Sequence, residues 1–385
     1  MKKVLIANRG EIAVRIIRAC HELGLKTVAV YAKEDEYGVH RFRADEAYQI
    51  GAGKKPIEAY LDMDDIIRVA KQTGADAVHP GYGFLAENEE FAQKCADNGI
   101  IFIGPTVRQL QLFGDKVAAK EVAVKAGLKT IPGTDEPVQS IDEVREFAHT
   151  HGYPIMIKAA MGGGGRGMRI VHDDDELDGA YDRARSEAKQ SFGDDELYVE
   201  KYLKNPKHIE VQILADQHGH VMHLFERDCS VQRRNQKVIE FAPSLALSEE
   251  RRQAICQAAV KLMESVHYQN AGTVEFLVTD EDFYFIEVNP RIQVEHTVTE
   301  LITDVDIVQS QILIADGADL YQDLELPAQD QLKYNGYGIQ CRVTTEDPEN
   351  NFMPDTGRIE TYRSPGGMGV RLDGGNAYAL SLIHI

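Results

Sequence analysis

The densest pattern of chemically useful side chains lies at residues 287–296, which read Glu-Val-Asn-Pro-Arg-Ile-Gln-Val-Glu-His. Acidic, amide and guanidinium groups take every second position up to 295, with Val, Pro, Ile and Val between them. If the segment is an extended strand, these polar groups all face one side, because successive side chains of a strand alternate. The five are Glu287, Asn289, Arg291, Gln293 and Glu295. A solvated strand face is the alternative, but such a face favours Lys and Thr, so the mixture indicates a site for a metal and an anion.

One further acid, Glu275, lies in the otherwise apolar run Thr-Val-Glu-Phe-Leu-Val at residues 273–278. Two carboxylates and an amide oxygen are hard ligands that suit Mg²⁺, which keeps several waters and bridges to nucleotide phosphates. The sequence therefore predicts a metal site formed by Glu275, Glu287 and Asn289.

A glycine-rich loop occupies residues 162–167, Gly-Gly-Gly-Gly-Arg-Gly. Its glycines match the spacing of the dinucleotide-binding motif, which needs a helix directly after them. The following residues 168–171, Met-Arg-Ile-Val, favour a strand instead. A Walker A loop is also excluded, because no Lys-Ser/Thr pair follows the glycines. A hairpin flap whose backbone N–H groups close over nucleotide phosphates is the functional interpretation, and a mobile surface hairpin is the alternative. Lys116 and Lys158 are placed to add positive charge to such a phosphate site.

Positive charge is concentrated at residues 226–237, Glu-Arg-Asp-Cys-Ser-Val-Gln-Arg-Arg-Asn-Gln-Lys. This segment is either a cradle for a small anion or a charged turn between a sheet and a helix, and the sequence leaves both open. Upstream, His208 starts an alternation of polar and apolar residues that turns one polar face toward a cleft or toward water. His218 and His220 flank a glycine, so we expect a hairpin tip there and not a set of metal ligands.

The elements that must position these groups change in kind along the chain. Up to about residue 114, short apolar strands alternate with amphipathic helices, which predicts a parallel sheet wrapped by helices. From Lys116 onward, hairpin-like spacing predicts an α+β region with much antiparallel sheet and a long helix near 249–266. A third segment begins near Tyr337 and is rich in Gly-containing turns. The predicted fold class is thus α/β followed by α+β.

Composition limits the class of protein. The 385 residues carry 42 Lys and Arg against 62 Asp and Glu, a formal net charge of −20 that argues against a nucleic-acid partner. No apolar run approaches the roughly 18 residues that a membrane span needs, so no membrane association is expected. Five scattered cysteines without a CxxC pair indicate reduced thiols and a cytoplasmic location.

Several motifs in this order resemble the biotin carboxylase component of biotin-dependent carboxylases, which are ATP-grasp ligases. The resemblance rests on five segments: 6–13, 79–85, 162–168, 226–237 and 285–296. It implies a Rossmann-like domain at 1–114, an ATP-grasp domain at 115–330 with a lid at roughly 133–203, and a partial biotin carboxylase C-terminal domain at 331–385. Residues 337–348, 354–359 and 371–376 are similar to pyruvate carboxylases and depart from the acyl-CoA carboxylase pattern.

The resemblance also implies roles for single positions. Glu295 would deprotonate bicarbonate, and Arg342 would stabilise the biotin enolate. Mg²⁺ or Mn²⁺ would be bound by Glu275, Glu287 and Asn289. Bicarbonate and biotin would be held by Lys237, Arg291, Gln293, Val294 and Arg342, with Lys237 and Arg291 also counted as catalytic. ATP would be held by Lys116, Lys158, Gly162, Gly163, Gly164, Gly165, Gly167, Glu200, Lys201, Tyr202, Leu203, His208, Gln232, Glu275 and Glu287.

The activity implied is the first half-reaction of pyruvate carboxylase, the ATP- and bicarbonate-dependent carboxylation of biotin through carboxyphosphate, which serves the conversion of pyruvate to oxaloacetate. Its partners would be a biotinylated carrier domain, a carboxyltransferase domain and a second copy in a dimeric pairing within a tetramer. The alternatives are an acyl-CoA carboxylase component, another ATP-grasp ligase, or a nucleotide-binding module without catalysis.

Three features depart from the family pattern. Asn235 stands where many members have His, and no Met-Lys-Met biotin-attachment motif occurs. Residues 380–385 leave the pattern where a glycine and a Pro-Tyr-Tyr-Asp run are expected. We therefore expect a truncated third domain with exposed apolar surface and reduced stability.

Overall fold

The computed structural model describes residues 1–159, 168–192, 195–234, 236–375 and 382–383. The predicted glycine flap, with Gly162, Gly163, Gly164, Gly165 and Gly167, lies outside the described residues, as do Asn235 and the rest of the C-terminal segment after residue 375.

The N-terminal part is a five-stranded, wholly parallel sheet of order β3-β2-β1-β4-β5 with helices around it. This confirms the predicted strand–helix alternation and adds elements that were not predicted: a 3₁₀ turn, α2, β3, α3 and α6. The elements are β1 (Lys3–Ile6), α1 (Gly10–Glu22), β2 (Lys26–Tyr31), a 3₁₀ turn (Lys33–Asp35), α2 (Val39–Arg43), β3 (Glu46–Gln49), α3 (Pro56–Tyr60), α4 (Met63–Thr73), β4 (Ala77–His79), α5 (Glu89–Asp97), β5 (Ile101–Phe102) and α6 (Val107–Gly114).

Burial explains why β1 and β4 lie at the centre of this sheet. All apolar side chains of both strands are buried, as parallel strands covered by helices require. At their carboxyl ends, Asn8 Nδ2 donates to Pro80 O at 2.7 Å and to Tyr82 O at 2.8 Å. These hydrogen bonds hold together the loops after β1 and β4, at the carboxyl ends of the parallel strands.

A small antiparallel sheet of order β7-β6-β8 forms the next part, with helices packed against it. Lys158 pairs with Met168, which confirms the two predicted strands on either side of the glycine-rich segment. The elements are α7 (Lys116–Lys125), α8 (Ile141–His151), β6 (Ile155–Ala159), β7 (Met168–Val171), α9 (Asp174–Phe192) and β8 (Leu197–Lys201). We call β6, β7 and β8 the lid sheet.

The largest sheet has six antiparallel strands in the order β13-β12-β9-β10-β11-β14. The sequence patterns predicted β9, β10, β12, β13 and the long helix, but not β11, whose exposed and buried positions are irregular. The elements are β9 (Lys207–Ala215), β10 (Val221–Arg233), β11 (Gln236–Ala242), α10 (Glu249–Ser265), β12 (Asn270–Val278), β13 (Phe283–Asn289), α11 (His296–Thr303) and α12 (Ile307–Ala315). His218 and His220 lie in the β9–β10 turn, as predicted.

The extended strand expected through Glu295 is wrong beyond residue 289. β13 ends at Asn289, and Arg291 N donates to Asn289 O at 2.8 Å in a turn. The reason is Pro290, which lacks the N–H that a strand ladder needs. The polar side chains at 291, 293 and 295 therefore come from a loop before α11, although Gln293 and Glu295 still point inward and are buried.

The C-terminal part adds β14 (Gly338–Cys341) to the edge of the six-stranded sheet, followed by two short pairs. These are β15 (Glu346–Asp347) with β16 (Met353–Pro354), and β17 (Gly357–Arg358) with β18 (Leu382–Ile383). Ile339 and Val343 are largely exposed here. Across the described residues, no helix is both long enough and apolar enough to span a membrane.

Candidate active site

One lysine lies at the centre of the polar residues on the six-stranded sheet. Lys237 Nζ, from β11, donates to Glu210 Oε2 at 2.5 Å and to both Glu275 Oε1 and Glu295 Oε1 at 2.8 Å. Burial favours the neutral amine, but the three carboxylates outweigh it and raise the pKa of Lys237. The lysine is therefore charged and is shared by acids from β9, β12 and the loop after β13.

Glu295 is held by a second cation. Arg342 Nη2 donates to Glu295 Oε2 at 2.9 Å, and its Nε donates to Glu240 Oε1 at 2.6 Å. Glu295 is only 2% exposed and directly precedes α11. Burial raises the pKa of Glu240, which the charge of Arg342 opposes. The predicted base and the predicted enolate stabiliser are thus in direct contact.

The predicted metal ligands come together at the β12–β13 pair. Glu275 and Glu287 are directly opposite each other in the register, and Asn289 Nδ2 donates to Glu275 Oε1 at 2.9 Å. Burial and then the charge of Glu275 raise the pKa of Glu287, whereas the charge of Lys116 lowers it. Two facing carboxylates with a neighbouring amide oxygen suit a divalent cation, which would relieve this repulsion.

His208 connects the metal end of the site with Gln232. Its Nε2 donates to Glu275 Oε2 at 2.5 Å, so its Nδ1 is the acceptor for Gln232 Nε2 at 3.0 Å. Burial lowers the pKa of His208, but the hydrogen bond and charge of Glu275 outweigh this and raise it overall.

The loop at 290–295 carries the remaining predicted anion ligands. Arg291 Nη2 donates to Asn289 Oδ1 at 2.9 Å, and its Nε is paired with Glu87 of the N-terminal part. Gln293 Nε2 donates to Glu275 Oε1 at 2.8 Å. Val294 is half-buried between Gln293 and Glu295. Lys237, Gln293 and Arg342 are thus linked through Glu275 and Glu295, and Arg291 is linked to the same group through Asn289.

The predicted ATP-binding residues of the lid sheet lie apart from this cluster. Lys158 is ion-paired with Glu200 on the neighbouring strand, and Lys201 Nζ donates to Gly152 O at 2.8 Å. Tyr202 and Leu203 follow β8 and are half-buried. In the part of the chain that the structure describes, no hydrogen bond joins these residues to Lys237 or its carboxylates.

A cleft of about 660 Å³ opens beside Lys237 and Arg342. Arg233 and Glu346 form an ion pair on its lining, and the Arg233 guanidinium lies 4.3 Å from the centre of the Phe352 ring. The cleft gives a small substrate access to the buried cations.

Sequence reasoning missed four residues of the site. Glu210 was noted only as part of an alternating strand, and Arg227 only as part of a charged run. No sequence pattern marked Glu240 or Glu87 as a site residue, because a single acidic residue in a strand or loop is usually exposed to solvent. Their hydrogen-bond partners lie 15 to 204 residues away in the sequence, from Gln212 for Arg227 to Arg291 for Glu87.

Three family profiles match successive parts of the chain. They are described as biotin carboxylase, N-terminal domain, at residues 1–110; carbamoyl-phosphate synthase L chain, ATP binding domain, at 115–323; and biotin carboxylase C-terminal domain at 340–381. Together with the parallel sheet, the lid sheet and the six-stranded sheet, these matches show that the chain belongs to the biotin carboxylase family.

Within that family, the chain is similar to pyruvate carboxylases. It is 61% identical over 384 residues to pyruvate carboxylase from Bacillus subtilis (strain 168), covering 100% of this chain and 33% of the relative. The mitochondrial pyruvate carboxylase of Homo sapiens is 56% identical over 384 residues, covering 100% of this chain and 32% of the relative. The chain therefore spans about a third of the length of these curated relatives.

A solved structure extends the comparison to the fold. The biotin carboxylase domain of Hydrogenobacter thermophilus 2-oxoglutarate carboxylase, in complex with MgADP, ADP and bicarbonate, has a TM-score of 0.86 and 49% identity, covering 100% of this chain and 83% of its own. The comparisons confirm the resemblance and the fold class that the motifs predicted.

Proposed function

We propose that the chain carboxylates biotin with ATP and bicarbonate, as the biotin carboxylase part of a pyruvate carboxylase. One observation carries this proposal. The partly buried amine of Lys237 contacts both Glu275, on the metal side of the site, and Glu295, the proposed base, at 2.8 Å each. A phosphoryl acceptor placed at this lysine would lie between the nucleotide and the base.

Glu295 acts as the general base in this proposal. Lys237 and Arg342 donate hydrogen bonds to its two oxygens and so fix the position of the carboxylate that would accept a proton. It would take the proton of bicarbonate, whose oxygen then attacks the γ-phosphate of ATP to give carboxyphosphate and ADP.

Bicarbonate would be held by cationic and neutral donors together. Lys237 and Arg291 supply charge, Gln293 supplies an amide N–H, and the loop at Val294 fixes their spacing. Each present partner, such as Glu275 for Gln293, would give way to the substrate oxygen. Charge-assisted hydrogen bonds of this kind are stronger than neutral ones and favour a small planar anion.

ATP would lie between the lid sheet and the six-stranded sheet. Mg²⁺ or Mn²⁺ held by Glu275, Glu287 and Asn289 would neutralise phosphate charge during transfer. Lys116 and Lys158 would add positive charge, and the loop at 162–167 would cover the phosphates. The solved relative is in complex with MgADP, ADP and bicarbonate, which supports the binding of a nucleotide and bicarbonate by this chain. The other proposed contacts to ATP are Glu200, Lys201, Tyr202, Leu203, His208 and Gln232.

Arg342 completes the proposed reaction. Carboxyphosphate breaks down to CO₂ and phosphate, and the phosphate takes the N–H proton of biotin. Arg342, on the lining of the 660 Å³ cleft, would stabilise the resulting enolate until it attacks CO₂.

Several parts of the proposal concern the longer protein. The relatives at 61% and 56% identity are pyruvate carboxylases, which supports pyruvate as the final acceptor. A biotinylated carrier domain, a carboxyltransferase domain and a tetramer with dimeric pairing of this part belong to the same proposal.

A cytoplasmic location is also part of the proposal, and the five free cysteine thiols support it. The proposed domains are 1–114, 115–330 and 331–385.

ATP hydrolysis by the purified chain with Mg²⁺ tests the function. We expect hydrolysis to require bicarbonate, to increase with free biotin, and to fall at least about 100-fold in Glu295→Ala, the range of a lost general base. The matched control is Glu90→Ala, which removes an exposed acid from α5 and should leave the rate unchanged. Hydrolysis that ignores bicarbonate, or that survives Glu295→Ala, would contradict the proposal.

A further inference from the structure

Arg227 is a fully buried arginine on β10 that uses every N–H it has. A guanidinium carries five N–H groups, and each here has an oxygen acceptor. The acceptors and donor–acceptor distances are Glu210 Oε1 at 2.5 Å, Gln212 Oε1 at 2.7 Å, Thr299 Oγ1 at 3.0 Å, Thr273 Oγ1 at 3.2 Å and Gln293 Oε1 at 2.8 Å.

Two of these acceptors belong to the site around Lys237. Glu210 gives one oxygen to Arg227 and the other to Lys237 Nζ at 2.5 Å. Gln293 gives its amide oxygen to Arg227 and its amide nitrogen to Glu275. Arg227 therefore lies directly behind the surface that would face bicarbonate.

The contact with Gln293 determines which end of that amide faces the site. A reversed amide would place its NH₂ group against the N–H groups of Arg227, so that two donors would meet and both would lose a partner inside the protein. The oxygen is thus kept toward Arg227, and the NH₂ group is kept toward Glu275 and the anion site.

We propose that Arg227 is a positioning residue that keeps the NH₂ group of Gln293 directed at bicarbonate and keeps Glu210 in place against Lys237. The proposal rests on the function proposed above. Arg227 acts through its neighbours and touches no reacting atom. Lysine cannot replace it, because an ammonium has three N–H groups and no planar fork.

Arg227→Lys tests this inference, with Arg252→Lys as the matched control. Arg252 is also a buried arginine, donating to Glu226 Oε1 at 2.8 Å and to Ser244 O at 3.1 Å. It contacts none of the proposed bicarbonate ligands through the hydrogen bonds described. Both variants lose buried hydrogen bonds, so a general loss of stability would affect them alike.

The measurement is the KM for bicarbonate and the KM for ATP in biotin-stimulated ATP hydrolysis. We expect Arg227→Lys to raise the bicarbonate KM about tenfold while the ATP KM stays within about twofold, the pattern of a lost binding interaction. Arg252→Lys should leave both KM values within about twofold. Equal rises of both KM values in Arg227→Lys, or the same bicarbonate effect in Arg252→Lys, would overturn the inference.

Gln293→Glu keeps the inference testable if Arg227→Lys does not fold. The new carboxylate can still accept from Arg227, but it presents no donor to the anion and faces Glu275, so we expect cooperative melting at a lower temperature and a bicarbonate KM raised at least about tenfold. An unchanged bicarbonate KM would overturn the inference. Wild-type protein without bicarbonate-dependent hydrolysis would overturn the proposed function as well, whereas an active wild type with an unaffected Gln293→Glu would overturn this inference alone.

Discussion

At the scale of single residues, Lys237 shows how opposite charges make each other's burial possible. An unpaired charge inside a protein is costly, but Lys237 has three carboxylates within 2.8 Å of its nitrogen. The charges of Arg227 and Lys237 overcome the effect of burial and lower the pKa of Glu210. Burial raises the pKa of Glu275, but the hydrogen bond from His208 and the charge of Lys237 outweigh it and lower that pKa overall.

His79 provides a residue-scale prediction about pH. Burial lowers its pKa to about 3, and its Nδ1 accepts from Gly81 N at 3.1 Å. An unfolded histidine titrates near 6.5, so between these values the unfolded chain binds more protons and stability rises with pH. From pH 7 to pH 5 this histidine should cost about 2 kcal/mol of unfolding free energy, since one pKa unit is about 1.4 kcal/mol.

His79→Asn should remove that part of the pH dependence while its side-chain oxygen still accepts from Gly81 N. Urea unfolding at pH 7 and pH 5 measures the difference between the variant and the wild type. His149→Asn, at an exposed position on α8, is the control and should behave as the wild type. An equal loss of stability on acidification in His79→Asn would contradict the prediction.

At the scale of elements, α1 supports the helix that begins directly after Glu295. Arg15 Nη2, from α1, donates to Glu300 Oε1 of α11 at 2.9 Å and to Asp306 Oδ1 at 2.6 Å. Arg15 is almost fully buried, with 2% of its surface exposed. The N-terminal part therefore helps to position the proposed base Glu295, because α1 is hydrogen-bonded to α11, the helix that follows this residue.

Arg15→Met should destabilise the fold by about 1–3 kcal/mol, because it removes a buried cation from Glu300, which keeps Arg371, and from the partly exposed Asp306. Arg18→Met lies one turn further along α1, where the arginine is half-exposed and 3.6 Å from Asp373, and it should cost less than about 1 kcal/mol. Chemical denaturation measures both. Similar values for the two variants would show that the Arg15 contacts contribute little.

At the scale of the whole molecule, the proposed nucleotide site lies between separate sheets. Its metal ligands are on β12 and β13, whereas Lys158 and Glu200 are on the lid sheet. MgADP that binds only the folded protein should stabilise it by about 2.7 kcal/mol at 100 times its Kd.

Thermal melting with MgADP tests the metal ligands. Glu287→Gln should lose most of the stabilisation by MgADP, because one of two facing carboxylates is gone. Glu281→Gln changes an exposed acid at the turn of the same hairpin, so this variant should keep the full stabilisation by MgADP. A full MgADP shift in Glu287→Gln, or its persistence in the wild type after chelation of Mg²⁺, would argue against this metal site.

Much of the fold could be predicted from the sequence because the patterns are local. Apolar strands and amphipathic helices identified the parallel sheet, and the apolar runs before and after the glycines identified the antiparallel pair of β6 and β7. A short window of sequence also predicted Glu275, Glu287 and Asn289 as metal ligands from their residue types, and the structure places them on the paired strands β12 and β13.

Only the tertiary structure decided which charges meet. Glu210, Glu275 and Glu295 are 27, 38 and 58 residues from Lys237 and come together through the order of the strands and the turn after Asn289. Pro290 ended a strand that the alternation alone extended to Glu295. Arg227 gained its role for the same reason: five acceptors 15 to 72 residues away surround it, and no local pattern of a charged strand predicts such a set.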